Sequence, residues 1–267
     1  MFNTLLVKPL FNLLAIIYAY LPGHDFGVAI IILTIIIRLI LWPVVTKQLH
    51  SQRAMQQLQP ELARIKAEAK GDRALESKLT MELYKEKEIN PLGSLLPLLI
   101  QLPIFIALYA VLRDLVKPGE IEHLAYPAVK NLAPIAAIIA SNSPFHPQLF
   151  GVIDLAKPSP ILAVLAGVFQ FIQTKQLAPK NAVKDASAQV TAAMTYAFPF
   201  VTFILGLTFP AALTLYWTTS SAVAVLQQTI VLRRDARELA VIEEAIVLDA
   251  PTPAKLNSPK KKKAKKK

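Results

Sequence analysis

The sequence predicts an all-α integral membrane protein. It reads as a five-span helical bundle with a polar interior, a cytoplasmic helical hairpin and an N-terminal interfacial helix. Three observations carry this fold class. The 267 residues are 54% hydrophobic with a mean hydropathy of +0.44, too apolar for an ordinary soluble domain. Five stretches read as spans at a window near 20 residues: 27–45, 91–112, 160–177, 194–210 and 211–231. The charges lie almost wholly between and after them.

Residues 1–26 precede the first of these spans. Lys8 is their one Lys or Arg, and no small-residue cleavage site follows the apolar stretch, so no cleavable signal peptide is expected. Lys8, Asn12, Ala15 and Ala19 share one helical stripe among Leu, Phe, Ile and Tyr. That pattern predicts an amphipathic helix over 5–21 lying in the interface. The competing reading is an additional span, joined to the next helix by 22–26 alone.

The stretch 27–45 carries a single charge, Arg38. A charge at mid-helix costs roughly 2.5–3.5 kcal/mol on the lenient insertion scale. Arg38 is therefore expected to face protein, water or a partner rather than lipid. Snorkelling is the alternative, because Val45 is only about 10 Å away along a helix.

Residues 46–90 hold nine Lys or Arg and seven Asp or Glu. Met55, Leu58, Leu62, Ile65 and Ala69 recur at spacings of three and four. Leu75, Leu79 and Leu83 follow after Gly71-Asp72. This predicts two antiparallel helices with a narrow seam. A docking element at the membrane surface and a merely solvated hairpin both fit the spacing.

The segment 114–158 is punctuated by Pro118-Gly119, Pro127, Pro134, Pro144 and Pro147. It predicts short interfacial helices and turns without chemistry. Phe209-Pro210 divides the last two spans into a tight hairpin. Residues 232–267 form a basic tail, expected to be disordered after Asp249 because of Pro251, Pro253, Pro259 and lysine repulsion. The net charge is +11, and eight lysines of 255–267 supply most of it, so the tail calls for an anionic partner. Basic residues number nine in 46–90 against three in 114–158. The hairpin and tail are thus expected inside, with the N-terminus and 114–158 outside.

Enzyme chemistry is missing from the pattern. There is no cysteine, which excludes disulfides and thiolate metal sites. The four histidines lie outside the spans, no Asp or Glu lies inside one, and no Gly-rich phosphate loop occurs. No catalytic residue, cofactor or metal is expected. The polar residues inside the spans include Arg38, Thr34, Gln101, Gln170, Gln173, Tyr216, Trp217, Thr218 and Thr219. Each glutamine alone reads as helix-to-helix glue. Together with a charge they suggest a polar cavity that would take a polar stretch of another polypeptide partway into the membrane.

Four stretches also carry a family resemblance. They are 27–43 with Lys47-Gln-Leu and Met55-Gln-Gln-Leu-Gln-Pro60-Glu; Asn90-Pro-Leu-Gly93 with 96–109; Asp154-Leu-Ala with 160–173; and Pro199-Phe-Val-Thr-Phe with 209–217. In this order, and over residues 10–235, the chain resembles the YidC membrane protein insertases and their Oxa and Alb relatives. The resemblance implies a groove open to the cytoplasm and to lipid but closed outside. Arg38 would lie in it and attract acidic residues of an incoming protein. Thr34, Gln101, Gln170, Gln173 and Trp217 are the other groove residues expected. The resemblance further implies that the hairpin 46–90 is needed for function. It makes nascent membrane proteins the partners, leaves the Sec translocon open, and implies ribosome or anionic lipid for the lysine tail; no DNA is expected.

The chain departs from the family in lacking the large external domain of some members and the lipoprotein cysteine of others. Ser94-Leu95 stands where many members have Gly-Cys, and the external segment is longer than usual. The expected function is a multi-pass insertase and chaperone of the bacterial cytoplasmic membrane. It would release clients laterally, between the second and fourth spans, without nucleotide hydrolysis. A small-anion transporter built on Arg38 is the alternative, and a passive scaffold tolerant of Arg38→Ala is a third reading.

Overall fold

Asp25 starts the longest apolar helix, its Oδ1 accepting from Val28 N at 2.9 Å, as an N-cap carboxylate does. That helix, α2 (Phe26–Gln57), runs through both Pro43 and Val45. At 32 residues it is about 48 Å long, well beyond a hydrocarbon core of about 30 Å. Hydropathy marks where apolar residues stop, not where a helix stops. Lys47, Gln48, Leu49, Arg53 and Met55 are all good helix formers.

The computed structural model describes residues 1–88, 96–115, 119–142, 145, 147–178 and 186–249, and their side chains except at 96–99, 115, 186–194, 236 and 238–249. Asn90-Pro-Leu-Gly93, Ser94-Leu95 and the lysines of the tail lie outside the described residues, as does the start of the expected second span. Before α2 come a π-helical turn at Asn3–Val7 and α1 (Lys8–Tyr20). Among the described residues, Asn3–Tyr20 and Phe26–Gln57 are long and apolar enough to cross a membrane by length and composition. After α2 come α3 (Gln59–Ala69), α4 (Arg73–Glu86), α5 (Leu96–Leu115), and the short α6 (Glu120–Leu124), α7 (Pro127–Lys130) and α8 (Ala133–Ala140). Strands β1 (Gln148–Leu149) and β2 (Ile153–Asp154) precede α9 (Pro160–Gln176), α10 (Ala186–Thr208) and α11 (Ala211–Asp249). The chain divides into two compact units, Met1–Thr229 and Ile230–Lys267. In the second, helix continues to Asp249, so the first part of the expected basic tail is helical. Its Arg, Glu, Leu and Ala residues favour that state.

The hairpin forms at Lys70-Gly71, both with positive φ, and Asp72 caps α4 by accepting from Ala74 N and Leu75 N. Leu58, Ala69 and Leu83 are buried. Leu75, expected in the seam, is exposed, and Met55 belongs to α2.

The segment 114–158 contains the expected short helices and one unexpected feature, the β1–β2 ladder. Gln148 pairs with Asp154 and Leu149 with Ile153, around a turn in which Phe150 and Gly151 both have positive φ. This segment is stitched to the bundle by main-chain bonds. Ala211 N donates to Lys157 O and Ala212 N to Leu155 O, both at 2.9 Å. Asp25 Oδ2 accepts from Phe150 N. Gly27 lets β1 approach α2, since a Cβ there would lie 2.6 Å from Leu149 Cβ. Beneath this cap sits the apolar core, with Phe11, Leu14, Phe26, Ile30, Leu33, Leu108, Ile135, Leu155 and Leu213 fully buried.

Helix α1 joins that core. Asn12 is 2% exposed; its Nδ2 donates to Leu124 O at 2.9 Å and its Oδ1 accepts from Tyr126 N at 2.7 Å. The stripe expected to face water is thus turned inward at Asn12 and Ala15. Its amide satisfies two main-chain groups between α6 and α7. Helices α9 and α10 run antiparallel and very close. A Cβ on Gly206 would lie 2.9 Å from Ala163 Cα, and one on Gly167 would lie 3.2 Å from Phe203 Cβ.

Candidate functional site

Arg38 sits about three turns into α2. Its Nε donates to Ser220 Oγ of α11 at 2.9 Å, and Nη2 donates to the same oxygen. Among the described residues no carboxylate pairs with it. A guanidinium has five N–H donors, and one hydroxyl satisfies few of them. The position therefore presents positive charge and free donors inside the bundle.

One turn before Ser220 stands Tyr216, 2% exposed. Its hydroxyl lies beside Ser220 and accepts from Gln101 Nε2 of α5 at 2.7 Å. The sequence Arg38, Ser220, Tyr216, Gln101 thus links α2, α11 and α5 by hydrogen bonds. The next residue round α11, Trp217, points elsewhere. Its Nε1 donates to Gln170 Oε1 of α9 at 3.1 Å, and Ser221 Oγ donates to the same oxygen at 3.3 Å. The indole lies edge-on to Phe105 of α5, with ring centroids 5.5 Å apart, and 6.4 Å from Phe198 of α10. Trp217 therefore has its polar end in the bundle and its ring between Phe105 of α5 and Phe198 of α10. Leu102 and Ile106 of α5 and Phe198 and Val201 of α10 are exposed.

Among the residues named from sequence, Gln101 joins Arg38's network and Gln170 joins Trp217. Thr34 is one helical turn from Arg38 and buried. Its hydroxyl donates to Ile30 O of its own helix at 2.7 Å, and it makes no hydrogen bond to Arg38. Gln173 buries its Oε1 without a partner and is not tied to Gln170. Thr218 donates to Thr214 O at 2.8 Å and to Leu162 O at 3.4 Å, joining α11 to α9. Sequence reasoning missed Ser220, Ser221 and Gln227. A signal was present for the serines: they stand four residues after Tyr216 and Trp217, one turn on along the same faces. Outside the spans, Asp154 is held below the usual carboxylate range by its hydrogen bond with Lys157 and by Ala156 N.

A family described as 60Kd inner membrane protein matches residues 17–238. The membrane protein insertase YidC of Fusobacterium nucleatum is 36% identical over 212 residues, covering 79% of this chain and 88% of that protein. That of Streptomyces avermitilis is 35% identical over 224 residues, covering 80% of this chain and 52% of the relative. That of Geotalea uraniireducens is 33% identical over 226 residues, covering 84% of this chain and 37% of the relative. The chain thus spans most of one relative and a third to a half of the other two. It belongs to the 60Kd inner membrane protein family, whose relatives here are named as membrane protein insertases, a function that is not enzymatic.

Proposed function

We propose that this chain inserts nascent membrane proteins into the bacterial cytoplasmic membrane. The observation that carries the reading is Arg38, a charge within an apolar helix whose hydrogen-bond partner is a single serine hydroxyl. An acidic or polar client segment supplies the anion that the site lacks. Held at partial depth, that segment crosses at lower cost than it would through lipid. The client's apolar residues then move past Trp217, between α5 and α10, into the bilayer. Transfer of apolar surface out of water drives release, so no nucleotide is needed. The hairpin α3–α4 meets the client first. The lysine-rich tail holds ribosomal RNA or anionic headgroups through phosphate contacts, and the Sec translocon is a further partner. The bundle has five spans, with the N-terminus outside and the C-terminus cytoplasmic.

The test uses purified protein in liposomes and a single-span client with an acidic translocated tail. Protected client should fall with Arg38→Ala and persist in part with Arg38→Lys, while both variants keep the wild-type unfolding temperature within a few degrees. Equal insertion by wild type and Arg38→Ala would refute the charged site. Saturable flux of a small anion, abolished by Arg38→Ala, would favour a transporter instead.

A further inference from the structure

The turn between β1 and β2 leaves its apolar side chains in the open. Phe150 is 70% exposed and Val152 84%. Leu149 beside them is buried, seated against Gly27 of α2. Phe150 also has a φ of +52°. That left-handed region is unfavourable for a bulky aromatic residue, and Gly or Asn would occupy it with less strain. A large apolar side chain thus stands clear of the core at a position whose backbone disfavours it. Packing does not account for it.

The turn is held firmly. Gln148 pairs with Asp154 and Leu149 with Ile153, Val152 N donates to Leu149 O at 3.1 Å, and Leu155 N donates to Pro147 O at 2.6 Å. Phe150 N donates to Asp25 Oδ2. The other oxygen of that carboxylate caps α2 through Val28 N. Asp25 therefore fastens the turn to the start of the longest apolar helix, whose composition suits it to cross a membrane. The apolar run begins at Phe26, so the turn is held level with its start. Tyr20, the last residue of α1, is also exposed near this end, and aromatic residues gather at membrane–water boundaries. Charge does not oppose lipid here. Residues 148–153 carry none, and Asp154 and Lys157 beyond them pair with each other at 3.0 Å.

We propose that Phe150 and Val152 form an interfacial anchor, dipping into the boundary between headgroups and acyl chains in the leaflet where α2 begins. This rests on the reading above, in which α2 crosses the membrane. Lipid fits the turn better than a protein partner does. Two side chains on a short turn offer far less than the roughly 800 Å² per partner that a stable protein interface buries. Moving their apolar surface out of water favours the lipid-bound turn. Because Asp25 ties the turn to α2, the anchor fixes the depth and tilt of that helix.

The chain has no cysteine, so Val152→Cys accepts a single environment-sensitive fluorophore. The full chain is placed in liposomes at a density low enough that copies do not meet. Spin-labelled lipids with the quencher near the headgroup or near the chain end report depth, and iodide reports water. The label at 152 should be quenched more by the headgroup-side lipid than by the chain-end lipid, and little by iodide. Adding Phe150→Asp should raise iodide quenching several-fold. Its unfolding temperature should stay within a few degrees, because substitutions at exposed positions cost little stability. Equal iodide quenching with and without Phe150→Asp would overturn the anchor. Shielding that appears only at high protein density would also overturn it, making a second copy the cover. A label at Ile35→Cys, about 14 Å along α2 from Phe26, keeps the two readings apart. It should be quenched best by the chain-end lipid. If the label at 35 is deep while the label at 152 is open to iodide, the anchor alone falls. If both are open, α2 does not cross, and the insertase reading falls with it.

Discussion

Replacing Gln170 with leucine removes one oxygen on which two donors converge. Ser221 Oγ recovers easily, because a helical serine can rotate to bond the carbonyl one turn back. The indole N–H of Trp217 cannot. Its bond to Gln170 Oε1 is 3.1 Å long, and Phe105 and Phe198 flank the ring. Leaving one buried donor unmet costs about 1–3 kcal/mol. Trp217 is half-buried, which puts the expected loss near the middle of that range, about 2 kcal/mol. For a unit of this size that is a fall in unfolding temperature of roughly 4–8 °C. The chain has two tryptophans, so a Trp42→Phe background leaves Trp217 as sole reporter. In detergent, Gln170→Leu should lower both the unfolding temperature and the steady-state anisotropy of Trp217. Gln170→Glu keeps an acceptor and should hold the anisotropy. Unchanged temperature and anisotropy in the leucine variant would refute the reasoning, and ring packing alone would then hold Trp217.

Three more outcomes are expected. Gly206→Val places a Cβ 2.9 Å from the Ala163 backbone and 3.1 Å from Thr214 Cγ2, so it should destabilise by about 1–3 kcal/mol, read from thermal unfolding. Asn12→Leu strips partners from Leu124 O and Tyr126 N; each unmet group costs about 1–3 kcal/mol, and hydrogen exchange at Tyr126 should accelerate. Asp154 has a folded pKa below its unfolded value, chiefly through Lys157. Its contribution is therefore whole above the ordinary carboxylate range and is lost as pH falls through the depressed value. Exchange at Ala156 N, which donates to Asp154 Oδ1 at 3.0 Å, should show that acid step, and Asp154→Asn should abolish it.

The parts legible in the sequence were those set by local pattern. A charge in an apolar run singled out Arg38, and Gly71-Asp72 marked the hairpin turn because that turn needs positive φ and a cap. The partners were not legible. Whether Arg38 meets Ser220, or Thr34 meets only Ile30 O, depends on how helices rotate against one another. No spacing within one helix reports that. Asn12 illustrates the same limit: a polar residue on an apolar helix suggests water, yet here it serves the buried turn before Tyr126. Helices α2 and α11 run past the expected spans for a different reason. Hydropathy follows lipid, and helix propensity continues past it.

The two ends of the first unit are fastened by different materials. At the cap, main-chain groups hold main-chain groups: Ala211 to Lys157, Ala212 to Leu155. At the hairpin end, long glutamine side chains do the holding, at Gln56, Gln176 and Gln227. Side-chain ties loosen at smaller free-energy cost than dry main-chain ladders. A bundle fastened in this way behaves like a clothes-peg: it has a stiff pivot and compliant jaws. Local opening is therefore expected at the hairpin end before the cap.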